Sequence, residues 1–307
     1  MSVRDDTSRH IGDHPPPSRG RRIVFFVVVF LLAAAVTAAL FARYQRVRGW
    51  YELKEVRATS DEGYLYLLLV TGGSANPDWS RLLYRIALDT YDARLGERAL
   101  PAPYPATVAS GAEFLIEVGG PQESALLVTP TYNPYPDGKM VEGKPVVSPQ
   151  KPGGAFERLM FESNRERFGR DGKRFAPITL ERGKLHFAEA GRDARTNLRT
   201  DIAVGTQGAL EFRIPWSLLN VSDPSTRRVL HGPARSEDSP TRETQGIRIY
   251  AYAFDKRKKN RPPVDQLPSR WRGAPLYAWQ RWEEPKYQME LKQSAQAIAS
   301  VMKQLSK

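Results

Sequence analysis

The stretch "IVFFVVVFLLAAAVTAALFA", Ile23 to Ala42, carries no charged side chain over twenty residues. In lipid every backbone amide and carbonyl must find its partner inside the chain, which leaves a helix as the form for one such run. At about 1.5 Å of rise per residue, that helix covers the roughly 30 Å hydrocarbon layer. The run is too long for an ordinary signal-peptide core, and it is apolar on every face, unlike a helix packed on a soluble core. Arg19, Arg21 and Arg22 precede it, and Arg43, Arg46 and Arg48 follow. The sequence therefore predicts one transmembrane helix over residues 23–42. A short basic tail before an uncleaved apolar segment stays in the cytoplasm, while a long following domain is translocated largely regardless of its charge. Residues 1–22 include "DHPPPSRG" and lack an apolar period, so they are expected to form a disordered basic cytoplasmic tail. Residues 43–50 read as a linker to an extracytoplasmic domain of a single-pass cell-membrane protein.

Beyond Tyr51 the apolar period is two. "GYLYLLLV" (63–70), "RLLYRIALDT" (81–90), "AEFLIEV" (112–118), "SALLVTP" (124–130), "KLHFAEA" (184–190), "ALEFRI" (209–214) and "GIRIYAYAF" (246–254) are short β-rich runs. Gly119-Gly120-Pro121, Asp137-Gly138 and Asp223-Pro224 supply turns between them. Such runs without helical patterns between them predict a mainly β fold, an antiparallel β-sandwich with jelly-roll or immunoglobulin-like layers over residues 51–285. Residues 133–154 are too rich in Pro and Gly for a strand pair and read as a long loop. Residues 255–273, "DKRKKNRPPVDQLPSRWRG", are strongly basic. After Pro285, Leu291, Ala295, Ile298, Met302 and Leu305 fall on one side at helical spacing, predicting a C-terminal amphipathic helix over 286–307 that offers a face to the sandwich or to a protein partner.

Lys and Arg outnumber Asp and Glu by 46 to 34, a balance that suits anionic partners. The chain has no cysteine, which removes disulfides, thiolate nucleophiles and Cys-based metal sites. Its four histidines stand outside any metalloprotease spacing, and neither a nucleophile elbow nor a phosphate-cradling glycine loop is present. Glu113 and Glu117 share one strand face, but at about 3.3 Å per residue their backbones lie about 13 Å apart, too far for a glycosidase pair. A hydrolase built from scattered acids is the low-ranking alternative, and the expectation is a non-enzyme. Asp89 and Asp92, beside a turn, are oxygen ligands that could hold Ca2+, with turn stabilisation as the competing role. No other cofactor is expected.

Trp79, Tyr132 and Tyr135 fall in expected loops, where a flat ring can stack on a sugar, so they are the candidate ligand-binding residues. Nucleic acid is not an expected partner, because no nucleic-acid motif accompanies the rings. Pro215 ends a strand's hydrogen-bond donation, and Trp216 directly after it is expected to plug the end of the core.

Four stretches, "DEGYLYLLLV", "YRIALDTYD", "GAEFLIEV" and "ALEFRIPWSLLNVSDPS", together resemble the family 9 carbohydrate-binding modules and the broader DOMON-like sandwich group, over about residues 51–254. The resemblance implies a β-sandwich whose relatives bind sugars or haem or serve other roles. The ending "YAWQRWEEPKYQMELKQSAQAI" looks like the terminus that follows such sandwiches in bacterial envelope proteins. The expected function is membrane-tethered recognition of a carbohydrate or anionic envelope polymer. The alternative is a scaffold subunit of an envelope or polysaccharide-export complex, working through residues 286–307.

Overall fold

The computed structural model describes residues 31–39, 48–73, 76–134, 156–162, 166–188, 200–205, 207–231, 241–269, 273–283 and 294–305. The chain divides into two compact units, 1–46 and 47–307. In the first, residues 31–39 are helical, with Leu31, Leu32 and Val36 exposed. Among the described residues no helix is long and apolar enough to cross a membrane. The rest of the 23–42 run, the 1–22 tail, most of the 133–154 loop and the start of the 286–307 segment lie outside the described residues.

The second unit is mainly β, with antiparallel sheets and few helices. Its strands in chain order are β1 (Leu53–Ser60), β2 (Tyr64–Thr71), β3 (Leu82–Asp89), β4 (Glu97–Ala99), β5 (Thr107–Ala112), β6 (Phe114–Val118), β7 (Ser124–Val128), β8 (Glu157–Arg158), β9 (Met160–Glu162) and β10 (Arg167–Phe168). There follow β11 (Arg174–Phe175), β12 (Thr179–Glu181), β13 (Ile202–Val204), β14 (Ala209–Pro215), β15 (Val221–Asp223), β16 (Arg228–Leu230), β17 (Thr241–Glu243), β18 (Ile247–Asp255), β19 (Asp265–Leu267) and β20 (Leu276–Tyr277). One helix, α1 (Ser294–Leu305), ends the described chain, with Ile298, Val301 and Met302 exposed.

A four-stranded sheet runs β1-β2-β14-β13, and a larger one runs β19-β18-β3-β6-β7-β8 with β20 also on β18. Strand alternation explains how they meet. Leu65, Leu67 and Leu69 of β2 and Leu210, Phe212 and Ile214 of β14 point to one side, opposite Tyr84, Ile86 and Leu88 of β3 and Phe114, Ile116 and Val118 of β6. These side chains form one buried core, each fully buried large one contributing roughly 1.5–3 kcal/mol of transfer free energy.

β3 departs from alternation because it is buried on both faces. Its outward Leu83 and Ala87 join Leu115, Tyr250, Tyr252 and Phe254 in a second apolar cluster, covered by Leu100, Val108 and Ala112 of the β4–β5 hairpin. Gly111 allows that cover to close: a Cβ there would stand 1.3 Å from the Leu95 carbonyl oxygen. The "KLHFAEA" run differs from expectation, making only isolated bridges at Lys184 and Phe187.

Candidate functional site

The outer face of the larger sheet carries a built-up concavity. Tyr250 and Tyr252 alternate onto that face from β18, and their hydroxyls are held, the first by Ser110 Oγ at 3.0 Å and the second donating to the Thr107 carbonyl at 3.1 Å. Above them lies a cavity of about 780 Å³ between the β4–β5 hairpin and the β18–β19 connection. Pro105, Pro262 and Pro263 give it stiff walls, while Thr107, Asn260 and Gln266 give it polar edges.

Its two rims are tied together. Asn260 sits in the left-handed region with φ 56°, and its amide donates to the Pro103 carbonyl at 2.7 Å. The Tyr104 hydroxyl donates to the Lys256 carbonyl at 2.9 Å. From beneath, the buried Arg85 guanidinium donates to the carbonyls of Pro101 and Tyr104 and pairs with Glu117, lying 5.7 Å from the Tyr104 ring centre. Burial without a partner would be costly for this cation, and the three acceptors remove that cost.

Lys258, Lys259 and Arg261 flank Asn260 on the exposed rim and form no ion pair among the described residues. Lys256 is different: its ammonium donates to Trp79 O, Gly119 O and Glu123 Oε2 at 2.9, 2.8 and 2.6 Å, so it is committed to structure. A second groove of about 380 Å³, lined by Val56, Ala58, Ile249 and Leu276, shares Pro268 with the first. The arrangement is a stiff trough with amide and hydroxyl edges and a cationic lip.

The residues singled out from sequence do not form this trough. Trp79 is half-buried, edge-on to Phe187 and Tyr84 at 5.6 and 6.4 Å, with Gly120 (φ 117°) under its ring. Tyr132 is 1% exposed, a correction to its reading as an open loop ring: Phe114, Tyr91 and Asn220 close over it, and its hydroxyl donates to Leu230 O at 3.0 Å. Trp79 precedes β3 and Tyr132 packs beyond its other end, so the two rings share no surface. Tyr135 lies outside the described residues. Trp216 packs as a plug, buried and 4.5 Å from the Trp279 ring centre, directly after Pro215, the last residue of β14.

Asp89 and Asp92 also serve separate partners. Asp89 is buried beside Arg248 at 3.4 Å, and burial raises its carboxyl above the usual range. Asp92 chelates Arg94 at 2.7 Å, which holds it down at about 2. Among the described residues no three metal-ligating side chains gather. Glu113 and Glu117 are likewise divided: Glu117 holds Arg85, while Glu113 Oε2 accepts the Thr90 and Tyr91 amides at 2.7 and 3.2 Å.

Glu113 is buried, and its Oε1 has no hydrogen-bond partner among the described residues. Burial pushes its carboxyl well above the ordinary value, and Asp89 adds to the rise against the pull of the amides. A carboxyl whose folded value is raised stabilises the fold fully below its unfolded value near 4.5 and loses that contribution as pH climbs toward the folded one. Glu113→Gln is therefore expected to unfold at a higher temperature than the parent at pH 8 and at about the same temperature at pH 4. A gap of equal size at both pH values in thermal melts would contradict this.

No family model matches the chain, and no match is found among curated proteins or solved structures. The likeness to family 9 carbohydrate-binding modules stands on the quoted strands alone.

Proposed function

We propose that this chain is a non-catalytic binding protein of the cell envelope, tethered by the 23–42 run, with a jelly-roll or immunoglobulin-like sandwich outside the membrane. Its partner is an anionic polysaccharide or similar envelope polymer, held in the trough over Tyr250 and Tyr252. The observation that carries this reading is the trough itself, with stiff proline walls, hydrogen-bonding edges and, beside Asn260, three exposed cations that form no ion pair among the described residues. A polymer presenting carboxylates and hydroxyls meets complementary groups there, and the shared Pro268 continues the path into the second groove. The resemblance to sugar-binding sandwiches supports the same class of partner.

The full chain in detergent micelles should bind polygalacturonate, and neutral dextran much more weakly. Thr107→Trp, which fills the exposed trough edge, should weaken binding about tenfold or more, the equivalent of about 1.4 kcal/mol. Raising salt should weaken binding to the parent as charges are screened. Unchanged affinity in Thr107→Trp would refute the placement.

The exposed Ile298, Val301 and Met302 of α1 favour a second reading, a scaffold that docks a protein partner through residues 286–307. Under it, crosslinking in cells finds a partner that disappears when 286–307 are deleted, while polymer binding by the deleted chain is unchanged.

A further inference from the structure

An arm built from residues 160–162 and 166–181 lines neither groove. Its base is the β9–β12 ladder, and its tip the β10–β11 ladder, with residues 163–165 between them outside the described set. The two legs of the base are closed on each other by the Arg182 and Gly183 amides, which donate to Leu159 O at 2.8 and 3.3 Å, and by Arg158 on Glu181 at 2.9 Å. They join the domain where the Leu126 amide donates to Gly183 O at 2.7 Å and β8 pairs with β7.

The tip exposes what a folded surface ordinarily covers. Phe168 is 68% exposed and Phe175 49%, with Leu180 exposed nearer the base. Arg167, Arg170, Lys173 and Arg174 surround them. Of the acids there, Glu166 is occupied by Arg174, and Asp171 Oδ1 caps the turn by accepting the Lys173 amide at 3.1 Å. Arg167, Arg170 and Lys173 therefore have no carboxylate partner among the described residues, and the Lys173 ammonium rests 5.5 Å from the Phe175 ring centre. Residues directly opposite in an antiparallel pair point to the same face. Arg167 with Phe175 thus occupies one face of the tip, and Phe168 with Arg174 the other.

Exposed rings interleaved with unpaired cations mark a contact surface. Rings on opposite faces of so narrow a ladder cannot stack on one polymer chain. Presented end-on to a plane, both can enter it while the cations meet the charges lying on that plane. An apolar layer beneath anionic head groups has that chemistry, and the uncharged 23–42 run implies a bilayer for this chain.

We propose that the 160–181 arm docks end-on onto an anionic lipid surface, with Phe168 and Phe175 entering the interface and Arg167, Arg170 and Lys173 meeting head-group phosphates. The docking is independent of the trough and of what the trough holds.

The absence of cysteine makes the test direct. Ala176→Cys, exposed beside Phe175, is labelled with an environment-sensitive dye in the full chain, in nanodiscs of phosphatidylcholine with or without phosphatidylglycerol. Phosphatidylglycerol should shift the emission to the blue and shield the dye from iodide; a dye at Ser222→Cys should not respond. Phe168→Ser with Phe175→Ser should abolish the shift. Arg170→Gln with Lys173→Gln should lower the docked-to-undocked ratio roughly 25-fold, about fivefold per cation. Thr107→Trp should leave the response intact, which separates the arm from the trough. The proposal is overturned by equal emission on both lipids, by a shift that survives loss of both rings, or by a shift that requires added polygalacturonate instead of anionic lipid.

Discussion

Trp216→Ala is expected to lower the unfolding free energy by about 3–5 kcal/mol, the cost of emptying a large buried aromatic site. The ring is buried and tilted against Trp279 at 4.5 Å, and its Nε1 donates to Asp61 O at 2.9 Å. The Trp216 amide also donates to Gly63 O at 3.1 Å, so the residue closes the β1–β2 turn onto the end of β14. Removing the ring leaves a cavity and frees a carbonyl, and the rigid Trp279, itself anchored by a bond to Pro224 O at 2.7 Å, has little freedom to fill the space. Domains of this size carry only about 5–15 kcal/mol in total. A fall in melting temperature of roughly 10 °C follows, at about 2–4 °C per kcal/mol. Trp216→Phe keeps most of the volume and should cost far less. A loss under about 1 kcal/mol for Trp216→Ala in denaturant titrations would show that the end of the core is not closed there.

The second large effect is expected at Arg85. Arg85→Met keeps the apolar stem but withdraws the guanidinium from Glu117, Pro101 O and Tyr104 O. Breaking a buried pair by deleting one partner costs about 3–5 kcal/mol. Water reaches Glu117, whose side chain is 26% exposed, so the lower end, about 3 kcal/mol, is expected. The functional result should exceed what stability alone would give. The carbonyls lost from Arg85 belong to the 101–104 turn, which carries Pro105 into the trough wall, so binding of polygalacturonate should fall about tenfold or more in the still-folded fraction. Glu117→Gln, which leaves Arg85 bonded to both carbonyls, should retain most of the binding. Equal binding by Arg85→Met and the parent would detach the hairpin from the site.

The core was readable where one strand face is wet. Leu65, Leu67 and Leu69, and Leu210, Phe212 and Ile214, alternate with outward side chains, and Pro215 before Trp216 marks the strand's end. β3 was readable as a strand but not as one covered twice, because its cover is Leu100 with Val108 and Ala112 of β5, part of a short hairpin that lies outside the alternating runs. For the same reason Arg85 carries no local sign of its role. Tyr132 follows Pro130 and looks like loop chemistry, yet Phe114, Tyr91 and Asn220, distant in sequence, bury it. The trough joins residues 99–109 to 250–269; the 246–254 strand and the basic run at 255–273 were readable in advance, but not their meeting with the 97–112 hairpin. The exposed arm was missed because two-residue ladders leave no period to detect.

Hydrogen exchange of the full chain with and without polygalacturonate tests the trough most directly. Slowed exchange at residues 97–109 and 258–269, reaching beyond them only into the second groove at 54–58 and 275–277, and lost in Lys258→Glu with Lys259→Glu and Arg261→Glu, is the expected result. Protection elsewhere, or none at a concentration where binding is saturated, would contradict it.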